Sequence, residues 1–105
     1  MDDYTLPESL KRQQTLVSEK AYTIMGNFLE SVPDIKDRNQ LAGYIAETIN
    51  GRDYQQNNKL LAEALKRKAG QIRSNDAELS DLLLNLPAVL SIVPNKKAQK
   101  KVKRR

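Results

Sequence analysis

Residues Asp53 to Arg73 read DYQQNNKLLAEALKRKAGQIR, and their periodicity decides the fold class. At about 100° per residue, Tyr54, Leu61, Leu65, Ala69 and Ile72 fall in one sector, the apolar stripe of an amphipathic helix. Asp53 stands at an N-cap position, directly after Asn50-Gly51, a pair suited to closing a preceding helix with a left-handed residue. The spacing predicts a helix over Asp53–Arg73, with the remaining segments packed around it. Lys59, Lys66 and Arg73, seven apart, line one flank of the stripe, Lys68 lies on the other, and Arg67 points outward. Such flanks ordinarily mean a solvated helix face; the functional reading is a basic ridge for an anionic partner.

Before this helix the chain predicts two others. Thr5 and Glu8 have capping-box spacing and Pro7 suits a first helical turn, so helix 1 is expected to open there and run to about Ser31. Leu10, Val17 and Ile24 repeat every seven residues, interleaved with Gln14, Ala21 and Phe28, while Met25 and Val32 widen the stripe. Gly26 lowers helix propensity there and suits either a close helix crossing or an exposed site. Val32-Pro33-Asp34 ends the segment, because a residue before proline is pushed out of the helical region. Asp34 or Asp37 then caps helix 2, expected over about Arg38–Asn50 with Leu41, Tyr44, Ile45, Thr48 and Ile49 inward.

After the central helix, Ser74-Asn75-Asp76 stops and restarts the chain, and helix 4 is expected over about Asp76–Asn85 with Leu79, Leu82, Leu83 and Leu86 buried. Pro87 kinks or restarts it, and Ala88–Val93 makes a last apolar turn or two before Pro94. This leucine-rich end is apolar nearly all round, which fits either burial within the monomer, the favoured reading, or a face covered by another subunit. The expected fold is all-α: a small bundle of four helices plus a short C-terminal fifth, forming a single domain over residues 1–95, with a disordered basic tail over 96–105.

Composition narrows the chemistry. Cysteine and histidine are absent from the 105 residues, removing disulfides, thiolate nucleophiles and the commonest general acid-base group. Asp34 with Asp37, or Asp76 with Asp81, are the candidate carboxylate pairs, but acids beside connectors are normally caps. No catalytic residue, metal ligand or cofactor site is therefore expected, and the chain does not read as an enzyme. An acidic start, Met1-Asp2-Asp3, does not resemble a signal peptide, so a cytoplasmic location is expected.

Charge is the most informative global property. Lysine and arginine number 18 against 13 acids, yet seven of those cations, Lys96, Lys97, Lys100, Lys101, Lys103, Arg104 and Arg105, fall in the last ten residues. That run can neutralise phosphates and release condensed counterions without reading sequence. No aromatic residue interleaves it, so single-strand stacking is not expected. The expected function is a small accessory or regulatory nucleic-acid-binding protein, on DNA or RNA. The tail contacts phosphates, and Lys59, Lys66, Lys68 and Arg73 form a second contact surface. The rival is a protein-protein adaptor or inhibitor, or a homodimer, using the leucine-rich 79–93 segment. Membrane attachment is the weakest reading, because Leu79–Val93 shows no separated polar face in sequence. A short link between helix 2 and the central helix would suit a helix-turn-helix, but a helix of about 20 residues is longer than a usual recognition helix, and only Gln55, Gln56, Asn57 and Asn58 at its start are possible base-reading amides. Polar first-turn residues are the ordinary explanation for those amides.

Overall fold

The computed structural model describes residues 6–92, whose regular elements are all helical, without a strand among them. Six α-helices follow in order: α1 Glu8–Lys11, α2 Glu19–Glu30, α3 Ile35–Ile49, α4 Asn58–Ile72, α5 Ala77–Leu83 and α6 Asn85–Leu90. A 3₁₀ turn, Gln14–Leu16, lies between α1 and α2. The expected bundle of four helices plus one becomes six because the first helix is broken in two; the central helix is shortened.

Helix 1 is not continuous. Its seven-residue repeat passes through Thr15-Leu16-Val17-Ser18, but Val17 is extended, and Ser18 starts a new helix by accepting the Ala21 N–H at 3.1 Å. The central helix likewise starts at Asn58 rather than Asp53. Asp53 instead accepts the Gln55 N–H in a local turn, while the Asn57 side chain accepts the Leu60 N–H and supplies the true cap. The two irregular segments, 13–18 and 51–58, hydrogen-bond to each other. The Tyr54 N–H donates to the Leu16 carbonyl at 2.7 Å, and the Gly51 N–H to Gln13 Oε1 at 3.2 Å. The Ser18 hydroxyl donates to Asn58 Oδ1 at 3.2 Å, and Gln55 Nε2 donates to the Thr15 carbonyl. Each break supplies partners for backbone groups the other leaves outside helices, which is the physical reason both can persist against helical periodicity. Tyr54 is buried as expected, but from this linker rather than from a helix stripe.

The other boundaries follow their chemistry. Asp34 caps α3 through the Lys36 N–H, and Asp76 caps α5 through the Leu79 N–H. Asn50 (φ 31°) and Gly51 (φ 78°) close α3 in the left-handed region. The end of α2 is held by Arg38, whose Nε and Nη2 both donate to the Val32 carbonyl, at 3.1 and 2.7 Å. A guanidinium at a helix C-terminus satisfies carbonyls the helix cannot bond and complements its dipole.

Helix α4 packs against α3, α5 and α6, whereas α1 packs mainly on α3, and α2 on α3 and α6. The core combines Met25 and Leu29 of α2, Leu41, Ile45 and Ile49 of α3, and Leu61 and Leu65 of α4 with Leu79, Leu83, Leu86 and Leu90 from the C-terminal helices. Ile24 and Phe28, on the expected heptad seam, only flank this core, and Gln14 is exposed. Ser80 is the buried hydroxyl among them, donating to the Ala69 carbonyl at 2.8 Å and so tying α5 to α4. A Cβ at Gly26 would meet nothing within 4 Å, so this glycine marks no tight helix crossing.

The leucine-rich end is neither wholly buried nor wholly exposed. Leu86, Pro87 and Leu90 of α6 face the core, while Leu84, Ala88, Val89 and Ile92 face outward. Among the described residues no helix is long and apolar enough to cross a membrane.

Candidate nucleic-acid interface

The cations of α4 do not form one surface. Lys59 and Lys66, seven residues apart on the helix, are exposed on its solvent side. Lys68 projects toward α3, where its ammonium meets Glu47 Oε1 at 2.7 Å and lies 5.7 Å from the centre of the Tyr44 ring. Arg73 turns to α5, pairing with Asp81 Oδ1 at 3.1 Å and donating to the Ser80 hydroxyl at 3.4 Å. The four-residue patch expected from sequence is thereby split: two of its members are ion-paired to neighbouring helices and two face solvent. The Arg73–Asp81 pair is exposed on both sides and contributes little stability, at most about 1 kcal/mol, so an anionic ligand can compete for it, whereas the Lys68 side chain is only 20% exposed beside Glu47.

Two cations outside the expected four, Arg67 and Arg52, lie near Lys68. Arg67 is exposed one residue beyond Lys66, and Arg52 lies in the loop after α3. An open depression between the end of α3 and the middle of α4 gathers Arg52, Arg67 and Lys68 with Asn50, Gln71 and Glu47. The signal for Arg52 was hidden because nothing in the sequence tells how the 50–57 linker folds back. A larger open groove, about 750 Å³, runs beside the α1–α2 break past Thr15, Glu19, Lys20, Tyr22 and Gln55, without a concentration of cations.

Three of the four candidate base-reading amides have structural tasks. Asn57 is the α4 cap, Asn58 is 2% exposed and bonded to Ser18, and Gln55 bonds to Thr15; Gln56 is exposed. They precede or begin α4 rather than decorating its exposed first turn. The link between α3 and α4 spans residues 50–57, longer than the three or four residues usual for a helix-turn-helix, so that resemblance fails.

Lys96, Lys97, Lys100, Lys101, Lys103, Arg104 and Arg105, the main expected contacts, lie outside the described residues, as does the predicted disorder of residues 96–105. Sequence alone gives the charge relation. Removing Asp2, Asp3 and those seven cations leaves eleven acids and eleven bases in residues 6–92. The described helices are electrically balanced.

Among the described residues, no cluster of three or more His, Cys, Asp or Glu is arranged to hold a metal, and no buried side-chain nitrogen or oxygen lacks a hydrogen-bond partner. Among the described residues, the local gathering of cations is the depression with Arg52, Arg67 and Lys68, on a body whose charges balance overall. No known protein family, curated protein or solved structure matches the chain.

Proposed function

We propose that this is a small accessory or regulatory nucleic-acid-binding protein that uses the cations of residues 96–105 to neutralise phosphates. The observation that carries the reading is the charge partition: eleven acids balance eleven bases in residues 6–92, while seven cations occupy the last ten positions. A balanced body is neither strongly attracted to nor repelled by a polyanion, so the C-terminal run dominates the encounter. Lys59, Lys66 and Arg67, exposed on one helix, supply further phosphate contacts. Lys68 and Arg73 contribute only by exchanging Glu47 and Asp81 for phosphate.

Such contacts position a protein on a backbone but carry no base information, so binding is expected to be nearly blind to sequence. The structural tasks of Asn57, Asn58 and Gln55 support that expectation. The test compares the full chain with one ending at Asn95, on mixed-sequence DNA and RNA at low salt. Binding by the full chain and its loss on truncation support the reading. Equal binding by both chains places the interface elsewhere, and no binding by either overturns it.

A further inference from the structure

The depression between the end of α3 and the middle of α4 gathers more positive charge than its own acids match. Arg52, Arg67 and Lys68 line it with a single carboxylate, Glu47. Three cations against one acid leave a local excess of two, on a body whose charges balance overall. Glu47 is engaged by Lys68 at 2.7 Å, and among the described residues neither Arg52 nor Arg67 has a hydrogen-bond or ion-pair partner. Two unmatched guanidiniums beside an ammonium repel one another, and a bound anion relieves that repulsion.

The backbone fixes where these side chains start. Asn50 and Gly51 turn the chain through the left-handed region just before Arg52. Hydrogen bonds then hold the turn on both sides: the Gly51 N–H donates to Gln13 Oε1 at 3.2 Å and the Tyr54 N–H to the Leu16 carbonyl at 2.7 Å. On α4, Arg67 and Gln71 are four residues apart and share a face, with Ala64 one turn earlier adding little bulk between them and the loop. Tyr54 and Ala64 are buried and line the depression from beneath, so a low-dielectric wall underlies the cations and focuses their field outward. The α3 carbonyls that would repel an anion are already engaged, Ala46 by the Asn50 N–H at 2.8 Å and Ile49 by the Arg52 N–H at 2.8 Å.

We infer that this depression binds one phosphate group, with Arg52 and Arg67 donating to its oxygens, Lys68 supplying a point charge and Gln71 a carboxamide donor. At about 190 Å³ it is smaller than the roughly 300–1,000 Å³ of sites that enclose organic ligands, so the phosphate enters and the molecule carrying it stays outside. A carboxylate fits less well. The depression already contains one, Glu47, which reaches Lys68 and leaves both guanidiniums unmatched, whereas a phosphate has enough oxygens to meet two forked donors at once. The Glu47 side chain is 63% exposed, so it can turn to solvent while phosphate takes its place on Lys68. The site stands on the helical body alone; that the phosphate belongs to a nucleic-acid strand rests on the function proposed above.

The test is an NMR titration of the full chain with inorganic phosphate at constant ionic strength, reading backbone amides and arginine Nε–H signals. Saturable shifts are expected at Arg52, Arg67, Lys68 and Gln71, with affinity about tenfold or more weaker in the Arg52→Gln/Arg67→Gln double variant. Both arginines are exposed and unpartnered among the described residues, so this variant should keep the wild-type melting temperature. Lys11→Gln/Lys36→Gln removes the same charge from exposed positions on α1 and α3 and should leave the affinity at the site within about twofold. Absence of saturable shifts at these residues overturns the inference. Equal weakening by both double variants also overturns it, because net charge then acts without a site, as does acetate binding as tightly as phosphate. A second arm identifies the source of the phosphate. With duplex DNA, the arginine double variant should lose roughly 0.9 from the slope of log affinity against log salt, one phosphate contact fewer. An unchanged slope beside localised phosphate shifts supports the site and assigns it to a free phosphate compound. Failure of the full chain to bind DNA at all counts against the proposed function and leaves the phosphate arm to decide this site.

Discussion

Individual side chains determine where helices begin in this protein, and their effects can be measured separately. Ser18 accepts the Ala21 N–H in the first turn of α2 and donates to buried Asn58 forty residues away. Ser18→Ala should therefore cost about 1–2 kcal/mol of unfolding free energy, whereas Ser31→Ala, which removes an exposed local bond, should cost less than about 0.5 kcal/mol. Urea denaturation of the two variants measures the difference. Burial raises the Tyr22 hydroxyl above its ordinary pKa of 10.0. As the pH rises, the unfolded chain loses this proton before the folded chain does. The corresponding share of stability is complete below pH 10.0 and is lost as the pH rises through the folded value. Tyr22→Phe should flatten that alkaline decline in denaturation curves recorded on either side of pH 10.0. The Asp34 cap and the left-handed Asn50 were legible because each sits beside an abrupt change in apolar spacing, whereas the capping-box spacing of Asn75 and Glu78 put the α5 cap one residue before Asp76, which accepts the Leu79 N–H. Arg38 was not: its bonds to the Val32 carbonyl depend on the chain turning back over the end of α2.

At the scale of elements, the sequence indicates helices correctly but makes two of them too long. Apolar spacing continues through Val17 and through Tyr54, and both residues are buried, so periodicity registers no break. What breaks the helices is a set of hydrogen bonds between residues about forty apart, a relation that local spacing does not contain. The glycines provide the element-scale test. Gly26 and Gly70 lie within α2 and α4, and a Cβ at either would meet nothing within 4 Å. Gly26→Ala and Gly70→Ala should each stabilise the fold by about 0.5–1 kcal/mol through helix propensity. Gly51 has equal space but a φ of +78°, so Gly51→Ala should destabilise by about 1 kcal/mol. Opposite shifts in melting temperature distinguish the two cases.

For the whole molecule, the charge partition was readable directly from sequence, because a count does not depend on folding. Which body cations are exposed was not. Lys59, Lys66, Lys68 and Arg73 lie on one predicted helix, but Glu47 and Asp81 from two other helices divide them. The core is the counterpart of that surface: Leu65, wholly buried where α4 packs against its neighbours, should cost about 2–5 kcal/mol when changed to alanine. The functional account depends on electrostatics being concentrated at one end of a balanced body. The most direct test is the dependence of duplex-DNA affinity on salt. If all seven C-terminal cations contact phosphate, log affinity against log salt should fall with a slope of about −6, and the chain ending at Asn95 should lose that dependence together with its affinity. A slope near zero for the full chain, or the same slope for both chains, would contradict the account.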